Sequence, residues 1–460
     1  DYLNDPDAWY QLTAKKAAEG DHCIVYLDES QDIDQTTIDQ LATEFDDNIH
    51  ETVSTYFSSP TDIDNNQKVI LLLLDIKDGY TGEAGSTYIG GYFFSIDLYT
   101  NDDLAAFNYP SYLRSNEGEI LYIDVNPADP TSIDTRSTIA HEFQHLVNFS
   151  RNYIAENGDF MPTWMDEGLS MAAEALYQNV DILTAREKWY DMDPLYSGES
   201  GVTKNPYRSI AYGYPLTVWN PFEDSTAVLN NYALSHLFFA WLGIQMKNDG
   251  HTNQFLKNII DDTDNTFQAV LNECGGLGDG TQVDTAPEML QYFYMANLLG
   301  GNDNETGLAS YLGKNQHTGP FTFESPAESI SLYPGGAAHF SYTELNSWTP
   351  DSTGDPDIVY ALGNISSYSS DFAAPYGTGS NGETLIVLNG DAFTETNTAK
   401  TSAPLPSALS PAPSFRSSGI PAYTALGRKS VQNAPLPQEA FRTDSAMTHR
   451  IESIKSRDRN

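Results

Sequence analysis

The spacing of hydrophobic positions changes twice along the chain. Before residue 130, short apolar runs bounded by turn residues predict strands. These are Cys23-Ile24-Val25-Tyr26-Leu27, the run Val69-Ile70-Leu71-Leu72-Leu73-Leu74 within 69–76, and Ile120-Leu121-Tyr122-Ile123-Asp124-Val125. Residues 34–57 interrupt them with helical spacing, Ile38, Leu41, Phe45 and Ile49 recurring at threes and fours. Gly90-Gly91 among aromatics predicts a bent or bulged strand over 87–97. Beyond 130 the period becomes helical. Ser132 or Asp134 can cap a helix running to about Phe149, with Ile139, Phe143, Leu146 and Val147 as its apolar positions. A second helix begins near Pro162-Thr163 and runs to about Tyr177, and helical spacing returns over 232–246 and 289–299. Short strands follow at 321–323, 329–332, 358–360 and 384–387.

This order predicts an α+β fold: a mixed sheet, then a helical part ending near 315, then a small all-β domain of sandwich type over 316–400. Residues 401–460 are rich in Pro, Ser and Ala without sustained period, which predicts a disordered tail. The 460 residues hold 23 Lys+Arg against 64 Asp+Glu, a net charge of -41. Such a surface repels nucleic acid and anionic lipid, and it suits a soluble secreted protein, or one that attracts Ca²⁺. The tail differs, with nine Lys and Arg against four Asp and Glu over 400–460. No apolar run approaches a membrane span. The chain opens on Asp1, which leads us to expect a leader removed upstream. Cys23 and Cys274 allow either one disulfide or two buried thiols, and neither lies in a CxxC pair. His317 and His339 stand in polar surroundings and are expected to be solvated.

The informative string is His141-Glu142-Phe143-Gln144-His145. On a helix, positions i and i+4 share a face, so both imidazoles can reach one Zn²⁺, with Glu142 beside them as base. A catalytic zinc takes three protein ligands and keeps one position open. The third should come from Trp164-Met165-Asp166-Glu167-Gly168-Leu169-Ser170, which starts the second helix after a loop containing Asn157-Gly158. Asp166, Glu167 and Glu174 compete for this role. We choose Glu167, with Glu174 two turns further along as a group orienting a histidine N–H. A second metal is suggested by Asp62-Ile63-Asp64-Asn65-Asn66, whose Asp62, Asp64 and Asn66 alternate like calcium ligands. Gln67 stands where such a loop prefers Gly, which favours a plain turn.

The HEFQH pair followed by WMDEGLS resembles the glutamate-type zinc peptidases. Over roughly 15–245 the chain is similar to the hyicolysin family, through Gly20-Asp21-His22-Cys23, Asp62 to Asn66, Gly90-Gly91-Tyr92-Phe93, Ile139 to His145 and Trp164 to Glu174. The resemblance implies a secreted neutral endopeptidase with one Zn²⁺ on His141, His145 and Glu167; we expect a zincin-like domain over 1–315 in a monomeric protein. By the same resemblance, a downstream tyrosine or histidine donates to the oxyanion. Tyr232 is the first candidate and His236 its rival, with Tyr212 and Tyr214 further possibilities. Substrate is expected to pair with an edge strand, for which 120–126 is the candidate. The competing readings are a zinc hydrolase for non-peptide amides, and a catalytically silent surface binding or adhesion protein that retains a zinc site.

Overall fold

The computed structural model describes residues 9–82, 88–155, 160–192, 209–222, 227–277, 283–299, 308–315, 323–324, 329–341, 355, 357–364, 383–393, 399–402 and 450–451. Two compact units divide the chain. The first is Asp1–Phe160 with Ala173–Asn179 and Pro421–Asn460; the second is Met161–Ala172 with Val180–Ile420.

The first unit opens with β1 (Gln11–Leu12), β2 (Ala14–Glu19) and β3 (Cys23–Asp28). Next come α1 (Gln35–Glu44), a π-helical turn Phe45–Ile49 and α2 (His50–Tyr56), so the stretch expected as one helix carries a wide turn in its middle. That turn keeps Phe45, Ile49 and Val53 all facing inward, each fully buried. β4 (Val69–Leu74), β5 (Gly91–Phe93), α3 (Asn101–Ala106), β6 (Ile120–Asp124) and α4 (Ile133–Phe149) complete it. The sheet order is β2-β3-β4-β6-β5. β3, β4 and β6 run parallel, and β2 and β5 flank them antiparallel. Every residue of β4 is buried, as its unbroken apolar run requires for a strand covered on both faces. Ile70, Leu72, Leu74, Tyr92 and Tyr122 share one core cluster. Alternation turns Leu71, Leu73, Leu121 and Ile123 to the other face, and α4 packs against β5 and β6. Each such fully buried side chain contributes roughly 1.5–3 kcal/mol.

Two details set up the site. Of the two candidate caps, Ser132 is the one used, its hydroxyl accepting the Thr135 N–H. Gly91 lets β5 lie close to α4, since a Cβ there would meet the Tyr122 carbonyl at 3.0 Å and the Thr138 methyl at 3.1 Å. The sheet also corrects one expectation. β6 has β4 on one side and β5 on the other, so 120–124 is an interior strand and the edge is β5.

α5 (Thr163–Tyr177) is one continuous helix whose residues up to Ala172 belong to the second unit and the rest to the first. The second unit continues with α6 (Thr184–Met192), β7 (Tyr212–Pro215), α7 (Val228–Asn248), α8 (Gln254–Asp261), α9 (Phe267–Cys274) and α10 (Ala286–Leu299). α7 is apolar nearly all round and is buried along almost its whole length. Trp164 of α5 packs against Phe238, Phe239 and Phe267. The strands are β8 (Phe323–Glu324), β9 (Ser331–Leu332), β10 (Gly336–Ser341), β11 (Ile358–Asn364), β12 (Glu383–Asn389) and β13 (Lys400–Thr401). β11, β12, β10 and β7 form one sheet path, so a strand from residue 212 onward joins those that follow residue 330. In the tail, Arg450–Ile451 (β14) pairs with β1; most of 401–460 lies outside the described residues.

Cys23 and Cys274 are separate buried thiols. Burial pushes the Cys23 thiol up to about 12, which keeps it protonated. His339 is not solvated: it sits on β10 with 0% exposure, and burial pushes its pKa down to about 4. His317 lies outside the described residues. No described helix is long and apolar enough to cross a membrane.

Candidate metal centre

α4 places His141 and His145 one turn apart on its buried face, 1% and 4% exposed. Their Nε2 atoms are 3.1 Å apart. Two nitrogens on a tetrahedral zinc, each about 2.05 Å from the metal, would be about 3.3 Å apart. The rings therefore already stand at ligand spacing, edge to face with centroids 4.7 Å apart. The Nδ1 of His141 lies 2.7 Å from the Glu174 Oε1. An Nδ1–H donated to that buried carboxylate leaves the Nε2 lone pair for a metal.

Glu174 and Glu167 sit on the same continuous helix, α5, two turns apart. Glu167 is fully buried, and its carboxylate joins both histidines in a group whose ligand atoms lie within 4.8 Å of one another. Two imidazoles and one carboxylate, all buried, match the donor set of a zinc with an open position. The remaining acid of the motif, Asp166, is outside this group. Gly168, next to Glu167, packs against α7: a Cβ there would meet the Phe239 Cε2 at 2.6 Å and the Ser235 carbonyl at 3.3 Å.

Glu142 is 3% exposed, and its Oε2 accepts the Phe93 N–H at 3.0 Å. Tyr92 pairs with Tyr122, and the Asp124 N–H bonds the Gly90 carbonyl. By the alternation of antiparallel bonding, the backbone groups of Gly91 and Phe93 point away from β6, to the sheet edge. The candidate base is thus held by the edge strand itself. The sequence offered no sign of this contact, because it uses a backbone N–H and carries no side-chain signature.

The candidate oxyanion donors separate by their partners. The Tyr232 hydroxyl donates to the Glu167 Oε1 at 3.3 Å, and the Arg186 guanidinium lies 4.9 Å above its ring. His236 is buried with its Nε2 accepting the Leu183 N–H at 2.8 Å, the arrangement of a structural helix histidine. The Tyr214 hydroxyl donates to Asn231, and the Tyr212 ring packs edge-on against Phe340. Tyr232 is thus hydrogen-bonded to a member of the candidate metal group.

Of the suggested calcium residues, Asp62 and Asp64 come together with Glu119. The Asn66 amide donates to the Asp64 Oδ2 at 2.6 Å, while its carbonyl oxygen accepts the Lys68 N–H at 2.6 Å. Glu119 could not be found from sequence, since it is one acid flanking a strand and 55 positions from its partner Asp64.

A mixed α/β scaffold here carries a buried His–His–Glu group that could hold a metal ion. Over 239 residues the chain is 35% identical to the neutral metalloprotease ShpI of Staphylococcus hyicus, a match covering 50% of this chain and 47% of that protein. The chain spans about half the length of this curated relative. No protein-family model matches it. Two imidazoles and one carboxylate are a donor set that suits zinc.

Proposed function

We propose that this protein is a secreted zinc endopeptidase of the glutamate-type class, with a zincin-like layout, that hydrolyses peptide bonds using Glu142 as general base. The observation that supports it most is the joint placement of His141, His145 and Glu167 within ligand distance, with Glu142 on the same helix. A zinc ion bound there supplies a water acidified toward neutrality and polarises a carbonyl. Glu142 accepts the proton of the attacking water and passes it to the departing amine. The Phe93 N–H holds the Glu142 carboxylate while it does so. Glu174 keeps the His141 imidazole in one tautomer and orientation. Tyr232 turns its hydroxyl from Glu167 to the developing oxyanion.

An extended peptide docks along β5, where the outward backbone groups of Gly91 and the Phe93 carbonyl offer hydrogen bonds. Main-chain pairing of this kind tolerates many side chains and so predicts a broad substrate range. We place the catalytic part within 1–315, with the β-rich region 316–400 as an accessory domain and 401–460 as a tail, in a monomer acting outside the cell. The test is to remove the metal with a zinc chelator and restore it. Cleavage of an unfolded protein should stop and return with Zn²⁺. Cleavage that persists in metal-free protein, or release of no peptide fragments in either state, would contradict the proposal.

A further inference from the structure

A second group of carboxylates lies in the first unit, apart from the histidine helix. Asp62, Asp64 and Glu119 each place an oxygen within 4.8 Å of the others. The first two come from the loop before β4, and Glu119 directly precedes β6. The pairing of Ile70 with Ile120 brings both segments to the same end of the sheet. Glu119 is 2% exposed. Its Oε1 accepts the Ile63 N–H at 2.9 Å and the Thr61 hydroxyl at 3.5 Å. Its Oε2 is buried and has no hydrogen-bond partner among the described residues. A buried carboxylate oxygen left this way is costly unless a cation or a proton completes it.

The loop is arranged around its acids. The Asp62 Oδ1 accepts the Gln67 N–H at 3.0 Å, and Asp64 accepts the Asn66 N–H at 3.1 Å. Lys68, which follows the loop, directs its ammonium elsewhere, to Glu19 at 2.8 Å and to the Gly20 carbonyl at 2.6 Å.

We propose that Asp62, Asp64 and Glu119 bind a Ca²⁺ ion that ties the 61–68 loop to the start of β6. Two loop carboxylates and a third from the start of β6 suit calcium, which takes six to eight oxygens in flexible geometry and fills the rest with water or carbonyls. Zinc prefers nitrogen and sulfur, and magnesium holds on to most of its own water. The Thr61 hydroxyl also lies 3.2 Å from that of Ser150, the residue after α4. The ion therefore braces the far end of the helix that carries the two histidines, without touching them.

The test uses the full chain with its zinc in place, dialysed free of Ca²⁺, and does not depend on peptidase activity. Ca²⁺ is titrated calorimetrically at physiological salt, and Tm is followed with and without millimolar Ca²⁺. The wild type should take up about one Ca²⁺ per chain with a Kd no weaker than about 1 mM, and its Tm should rise. Asp62→Asn, an exposed change that leaves the fold intact, should weaken binding roughly tenfold or more, because carboxylate count sets affinity in such loops. Glu119→Gln should abolish the Tm rise. Equal Ca²⁺ affinity in wild type and Asp62→Asn, no uptake by the wild type, or an equal Tm rise with Mg²⁺ would each overturn the assignment.

Discussion

Glu174 tests how the histidine helix is held. Its carboxylate is 4% exposed and meets the His141 Nδ1 at 2.7 Å, so no water stands ready to replace it. Glu174→Ala leaves a buried N–H without an acceptor, which costs about 1–3 kcal/mol. That cost appears as a freer ring and a less basic ligand nitrogen, so zinc affinity should fall about ten- to hundredfold, or about 1.4–2.7 kcal/mol. Glu174→Gln keeps a carbonyl oxygen for the N–H and loses only the charge, so its loss should sit near the lower end. The assay is competition for Zn²⁺ with a chromogenic chelator, alongside thermal unfolding of the metal-free proteins to separate a ligand effect from a folding one. Zinc affinity within about twofold of wild type for Glu174→Ala would refute the reasoning, because a bond that fixes the ligand cannot be dispensable.

Three further outcomes follow from particular contacts. Tyr232→Phe should lower kcat about 10²- to 10³-fold while one zinc per chain is retained; lost zinc instead would mean the hydroxyl serves mainly to orient Glu167. Gly168→Ala should destabilise by about 1–3 kcal/mol in chemical unfolding, because the new methyl meets the Phe239 ring, itself pinned by Trp164 and Phe238. His339 is held neutral down to about 4, whereas an unfolded histidine titrates near its ordinary value of 6.5. The unfolded chain therefore binds the extra proton between these values, and stability is complete above pH 6.5 and falls as pH drops toward 4, by up to about 3 kcal/mol. His339→Gln should flatten the pH dependence of unfolding across that window; an unchanged slope would show that another group is responsible.

Much of the first unit was legible because its signals are local. The apolar run 69–74 and the Ser132 cap reappear as β4 and the start of α4, and the expected second helix matches α5 at both ends. The candidate metal residues are readable for the same reason: helical spacing fixes His141 against His145, and Glu167 against Glu174, before any tertiary contact is known. What failed depended on pairing. An apolar strand such as 120–124 reads the same at an edge or in the middle of a sheet, so its interior place was hidden. β10 escaped notice because Gly336-Ala337-Ala338 lacks the bulk that marks a strand, and His339 within it looked polar rather than buried. The π-helical turn at Phe45–Ile49 preserves a spacing of four, so the sequence does not distinguish it from plain helix. Glu119 and the Phe93 N–H act through register between strands distant in sequence, which no single stretch encodes.

The proposal turns on Glu142. Wild type and Glu142→Gln should be compared for cleavage of unfolded casein, with zinc counted in each. Glutamine keeps the size of the side chain and an oxygen for the Phe93 N–H, so the helix and its ligands should be undisturbed. If Glu142 is the base, both proteins hold one zinc per chain, and the wild type cuts while the variant does not. Equal cleavage by two equally loaded proteins would contradict that role.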